Sequence, residues 1–279
     1  MRHGTVIIAV GDEVLGGFTL DTNSHWIAGR VREAGYPTQR IEVVADRPDA
    51  IVDAVRRAVA EPRADRVIVC GGLGPTPDDR TLEAVAEALG RPLEVHPDAL
   101  AHVQGIVDRM HEAGWLASPV ISEANRKMTV APRGAEILEN RRGMASGILL
   151  PLPAVDAPPD ATPLDADLAH PLDDRWLAIL PGVPREMQAI VEEEIIPRHF
   201  AGATAETVVE LRYRYAIEAE FVEPMRAVGE AFPDVQVGSY PQSDRRELVV
   251  RFKGEDPERV AAAAASVRSM RPPREGEAL

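Results

Sequence analysis

The sequence predicts an α/β protein: a doubly wound, mostly parallel sheet with a second, smaller α+β domain. Three observations carry that prediction. Residues 5–10 and 67–70 are continuous apolar runs of the kind found in strands buried on both faces. Each early strand is followed by a stretch with helical spacing, which gives β-α-β-α-β-α as far as Leu89. From residue 207 the order changes to strand, helix, strand, strand, helix, so the domains are drawn at 1–200 and 201–279.

The first strand, residues 5–10, ends in Gly11-Asp12-Glu13. Asp21, Thr22, Asn23 and Ser24 supply N-caps for a helix carrying Trp26, Ile27 and Ala34, and Gly35 closes it. Residues 38–44 alternate as a second strand and lead to Asp46. Pro48 suits a first helical turn, after which Ile51, Val55 and Val59 form a buried stripe. The third strand, 65–70, runs into Gly71-Gly72-Leu73-Gly74-Pro75-Thr76-Pro77-Asp78-Asp79-Arg80-Thr81. Leu82, Val85, Ala86 and Leu89 then mark one face of a helix.

Farther on, residues 97–113 read as a helix, and 135–138 and 147–150 as short strands. Residues 151–175 hold six prolines and six aspartates and read as a loose, acidic loop. A strand at 176–180 ends at Pro181-Gly182-Val183-Pro184, and a helix follows over about 185–195. The small domain is expected to have strands at 207–216, 235–240 and 247–252 and helices at 221–231 and 257–270. Residues 271–279 are expected to fray.

Right-handed crossovers bring the ends of the first three strands to one sheet edge, where open α/β sheets bind ligands. Asp12, Glu13, Asp46, Asp78 and Asp79 should therefore converge from three loops. Three glycines between a strand and a helix let backbone amides approach an anion. The loop has two adjacent carboxylates and no lysine, so a bound phosphate there calls for a divalent cation between. A glycine-rich corner with no ligand is the competing reading. Neither the dinucleotide fingerprint nor the P-loop is present: position 77 is Pro, and Gly17 and Phe18 stand where the P-loop needs Lys and Ser or Thr. Lys127, beside Asn125 and Arg126, is a candidate phosphate contact or a plain surface charge.

Composition narrows the function. A net charge of −14 argues against nucleic-acid binding, and there is no KH or RNP signature. No apolar run approaches the roughly 20 residues of a membrane span, and the start lacks signal-peptide architecture, so a cytoplasmic location is expected. The single cysteine, Cys70, ends an apolar strand and fits packing better than nucleophilic work. Only Lys127 and Lys253 are lysines among 31 basic residues, a compositional bias rather than a site.

Gly11-Asp12-Glu13-Val14-Leu15 with Gly17 and Asp21-Thr22-Asn23, the glycine-threonine-aspartate loop at 71–81, Asn125-Arg126-Lys127-Met128, Pro181-Gly182-x-Pro184 and Gly238-Ser239-Tyr240-Pro241 together resemble the competence/damage-inducible protein A (CinA) family. The large domain is similar to the molybdopterin-binding fold of molybdenum-cofactor biosynthesis proteins and of the N-terminal half of animal FAD synthase. The resemblance implies a divalent-metal-dependent nucleotide pyrophosphatase acting on ADP-ribose or a related dinucleotide such as FAD, with Mg²⁺, Mn²⁺ or Co²⁺ as cofactor and a homo-oligomeric assembly.

It also implies roles. Gly71, Gly72, Gly74 and Thr76 would cradle phosphate, and Asp79 and Asp46 would hold metal. Asp79, Asp46 and Glu13 match acidic residues of the family's catalytic loops. Asp12, Asn23, Asp78, Thr81, Glu83, Pro181 and Gly182 complete the expected ligand-binding set. Asp46 and Asp12 both stand as general base. Two other readings remain: a non-catalytic binder of molybdopterin or nucleotide phosphate, and a molybdopterin adenylyltransferase. Many family members continue into a nicotinamide-nucleotide amidase domain; this sequence stops before one, so amidase activity is not expected. Ser146 stands where the family usually has proline.

Overall fold

The computed structural model describes residues 4–152, 175–200 and 206–277. The expected loop at 151–175 therefore lies mostly outside the described residues. The chain divides into two compact units, Met1–Ala203 and Thr204–Leu279.

In the larger unit the strands are β1 (Gly4–Val10), β2 (Thr38–Val44), β3 (Ala64–Cys70), β4 (Leu93–Val95), β5 (Val130–Pro132), β6 (Glu136–Leu138), β7 (Gly147–Pro151) and β8 (Trp176–Leu180). The helices are α1 (Asp12–Leu15), α2 (Thr22–Glu33), α3 (Pro48–Val59), α4 (Thr81–Ala88), α5 (Pro97–Glu112), α6 (Glu123–Arg126), α7 (Pro184–Ile190) and α8 (Ile196–His199). The main sheet has the order β2-β1-β3-β8-β7-β6. Strands β1, β2, β3 and β8 are parallel; β7 runs antiparallel to β8, and β6 antiparallel to β7. The mostly parallel α/β sheet expected from sequence is thus present, with one reversed strand inside it.

Alternation along β1 builds two cores. Val6, Ile8 and Val10 join Ile51 and Val55 of α3 and Val85 of α4 on one face. Ile7 joins Ile27 and Val31 of α2 and Met187 and Ile190 of α7 on the other. Ile7 and Ile8 are both fully buried, each contributing roughly 1.5–3 kcal/mol over exposure. Because both faces are covered, β1 and β8 read as unbroken apolar runs, whereas the edge strand β2 alternates.

Several boundaries differ from the expectation. The helix expected over 185–195 is regular over Pro184–Ile190, widens into a π-turn at Val191–Ile195, and continues as α8. Pro197, which has no N–H and crowds the carbonyl four residues back, lies just beyond the widened turn. The β4–β5 pair is a separate antiparallel ribbon whose three-residue strands are too short to show a period in sequence.

In the smaller unit, β9 (Thr207–Arg214), β10 (Gln236–Gln242) and β11 (Glu247–Gly254) form an antiparallel sheet in the order β10-β11-β9. Helices α9 (Val222–Ala231) and α10 (Pro257–Met270) cover it, around Tyr213, Phe221, Val250, Phe252 and Val260. The end of this unit corrects the expectation of fraying. Arg271 and Glu277 are both buried and paired at 2.7 Å, and Arg271 also reaches Glu220 at 2.7 Å.

Candidate functional site

The parallel strands end together at one edge, where strand order reverses between β1 and β3. Hydrogen bonds from Gly11 N–H to the Val44 carbonyl (3.1 Å) and from Gly71 N–H to the Leu180 carbonyl (3.0 Å) tie adjacent loops side by side. Asp46 leaves β2 and accepts the Asp12 N–H at 2.7 Å. Its carboxyl is held above the ordinary aspartate range, first by burial and then by the charges of Asp12, Glu13 and Asp78; the Asp12 N–H opposes the shift. Four carboxylates from three loops therefore share one field. Glu13 curls back over Gly11, where a β-carbon would lie 2.7 Å from its Oε1.

Asp79 behaves differently. Its Oδ2 accepts the Thr76 N–H at 2.9 Å and the Thr76 hydroxyl, closing the loop on itself. Asp78 is exposed and sits below the usual carboxylate range, lowered first by the nearby Thr76 side chain, then by a backbone N–H, with Lys127 close by. The loop lacks a lysine in sequence but has one in space. Lys127, carried in by the turn after α6, donates to the carbonyls of Asp79 (2.6 Å) and Thr76 (2.8 Å).

The glycines are set by space inside the loop. At Gly71 φ is +112°, and a β-carbon would sit 2.3 Å from the Val10 carbonyl oxygen. At Gly72 φ is +68°, and a β-carbon would meet Thr81 Oγ1 at 2.2 Å. The Gly71 and Thr76 amides are both engaged within the protein, so they are not open to an anion as the sequence reading expected. Thr81 is buried at the start of α4, and its Oγ1 has no hydrogen-bond partner among the described residues.

Asn23, in the first turn of α2, donates to the Gly182 carbonyl at 2.7 Å and touches Cys70 Sγ at 3.5 Å. Cys70 in turn lies 3.4 Å from the Pro181 carbonyl, and burial pushes its thiol up to about 12. It packs and does not ionise near neutral pH. This lattice joins the ends of β3 and β8.

Between these loops opens a cleft of about 390 Å³, lined by Gly72, Gly74, Asp79, Asn125, Met144 and Glu186 among others. A narrower recess of about 60 Å³ shares the wall of Gly72, Leu73, Gly74 and Asp79 and is also lined by Glu83 and Lys127. Among the described residues, no three of His, Cys, Asp and Glu are grouped closely enough to hold a metal on their own. No helix among them is long and apolar enough to cross a membrane.

Residues 6–200 match the family described as probable molybdopterin binding domain, and 212–276 match the one described as FAD synthase, middle domain. The solved structure of CinA from Thermoplasma acidophilum, described there as of unknown function, superposes with a TM-score of 0.54. It is 31% identical, over 68% of this chain and 95% of that one. The chain belongs to the CinA family. A CinA-like protein of Citrifermentans bemidjiense is 32% identical over 94% of this chain, which spans 56% of that longer relative. A protein of Aeropyrum pernix is 34% identical, covering 95% of this chain and 87% of its own length.

In this CinA-family site, sequence reasoning passed over Glu186. Glu186 opens α7 and accepts from Asn140 Nδ2 at 2.8 Å, with Gly143 so close that a β-carbon there would strike its carboxylate. Its only sequence signal was an acidic residue two positions after the Pro-Gly-x-Pro turn.

Proposed function

We propose that the chain is a divalent-metal-dependent nucleotide pyrophosphatase of the CinA type, hydrolysing ADP-ribose or a related dinucleotide such as FAD. The observation that carries this reading is the gathering of carboxylates at the strand edge, where Asp46 accepts the Asp12 N–H at 2.7 Å and its carboxyl is raised by burial and by the charges of Asp12, Glu13 and Asp78. Such crowding is costly unless a cation relieves it, and perturbed carboxylates in a cleft mark candidate acid–base groups. Mg²⁺ commonly keeps several waters and takes only one or two carboxylates together with substrate phosphates, a donor set that Asp46 and a neighbour fit without a third protein ligand. When bound, the ion would supply charge neutralisation and an activated water.

The chain's own residues would do the rest. Asp46 and Asp12, joined by the Asp12 N–H, share the two roles: whichever does not hold the ion takes the proton from the attacking water. Lys127 and Asp79 hold the loop in shape beside the cleft. Water adds across one bridging P–O bond, so ADP-ribose gives AMP and ribose 5-phosphate, and FAD gives AMP and FMN. The match of residues 212–276 to the FAD synthase middle domain favours including FAD among the ligands.

Incubation of the full chain with ADP-ribose, FAD or NAD and Mg²⁺, Mn²⁺ or Co²⁺ tests this. Metal-dependent AMP release that disappears in Asp46→Asn is expected. Saturable binding with no product under any metal would overturn it in favour of a non-catalytic binder of pterin or nucleotide phosphate. That second reading draws on the lack of a three-ligand acidic group among the described residues. An adenylylated pterin formed from ATP would point instead to adenylyl transfer.

A further inference from the structure

Among the described residues, Asp79 and Glu186 are the only charged side chains that line the larger cleft. Asp79 spends its carboxylate on the Thr76 N–H and hydroxyl. Glu186 has no such relief. Its Oε2 accepts from the neutral Asn140 amide at 2.8 Å, and its Oε1 has no hydrogen-bond partner among the described residues. Arg141, from the adjoining turn, pairs with Glu139 and Glu193 instead. The carboxylate is also fixed in place. Asn140 is buried and secures the turn around it, donating to the Ala145 carbonyl at 2.7 Å and accepting the Arg142 N–H at 2.9 Å. His102 Nε2 lies 3.1 Å from the Gly143 carbonyl, and Gly143 packs directly on the carboxylate.

A fixed carboxylate with an open oxygen treats two kinds of ligand in opposite ways. It accepts hydroxyls, as acidic residues do from ribose in dinucleotide sites. It repels a terminal phosphate, which takes on a further negative charge above a pKa of about 6. We infer that Glu186 is a specificity-determining residue: it admits diphosphates whose outer phosphate is esterified to a hydroxylated group and turns away nucleotides that end in a free phosphate. Discrimination of this kind comes from the built-in repulsion as much as from the new contact. The inference rests on the cleft taking a nucleoside diphosphate, and it adds which class of them enters and which side chain decides.

Calorimetric titration of the full chain with ADP-ribose and with ADP, each with Mg²⁺ at about pH 8 so that the terminal phosphate is fully charged, tests it. AMP release from both ligands is followed alongside. The wild type should hold ADP-ribose roughly 10-fold or more tighter than ADP. Glu186→Gln keeps an acceptor for Asn140 and removes the charge, so its melting temperature should stay near the wild type's. It should bind ADP roughly 10-fold tighter and ADP-ribose no tighter, which closes the gap between them. A merely structural role would weaken both ligands alike. An unchanged ratio of the two affinities, or equal weakening of both, overturns the inference, while metal-dependent AMP release in the same samples keeps the pyrophosphatase reading. A closed gap without AMP release from either ligand upholds the role of Glu186 and removes hydrolysis. Failure of the wild type to bind either ligand overturns both.

Discussion

Asp46 has two opposing consequences for one side chain. Its raised folded-state pKa favours the protonated form, so its stabilising contribution is complete below the ordinary aspartate value and is lost as pH climbs through the raised one. Asp46→Asn keeps an acceptor for the Asp12 N–H and removes the charge. Thermal melts without metal should show the variant more stable than wild type at pH 7, by less than about 1 kcal/mol because the group is partly solvated, with the gain gone below about pH 4. Lys127 makes the opposite case. Lys127→Ala leaves the carbonyls of Thr76 and Asp79 without their cation, which should cost about 1.5–3 kcal/mol of local loop stability. Faster amide exchange across residues 72–80, with the sheet unchanged, is the expected result.

Among the elements, the turn from β3 into α4 has the least freedom. Gly71→Ala would combine a positive φ with a contact against a backbone oxygen that cannot rotate away, so a loss above about 2 kcal/mol in denaturant melts is expected. Gly72→Ala should cost less, because Thr81 Oγ1 belongs to a side chain that can turn. The strands and helices that carry this turn were legible because their apolar periods are long and unbroken, as in β1, β3 and α3. What sequence could not show was the destination of polar groups. Asp79 and Lys127 lie 48 residues apart and meet only through the fold, and the Gly71 N–H is taken by a strand more than a hundred residues later. The reversal of β7 was equally hidden, since four buried residues look the same in either direction.

At the scale of the whole molecule, the two units can be followed separately. All three tryptophans, at 26, 115 and 176, belong to the larger one. In the smaller one Glu277 is held down to about 2, first by Arg271 and then by the Arg274 N–H. Its contribution is therefore present above the ordinary glutamate value and is lost as pH falls from there toward 2. Glu277→Gln should lower the stability of this unit near neutrality and not at pH 2, as read by exchange of the β9–β11 amides, while tryptophan fluorescence is unaffected.

Each unit also carries a single lysine: Lys127 grips the loop between β3 and α4, and Lys253 lies on β11. An acylating reagent thus has one primary side-chain amine to find in each half. The rate at which mass spectrometry sees residue 127 modified, set against residue 253 as an internal clock, becomes a direct meter of how often the loop releases its anchor. Nucleotides that close the cleft should slow that rate without touching the clock.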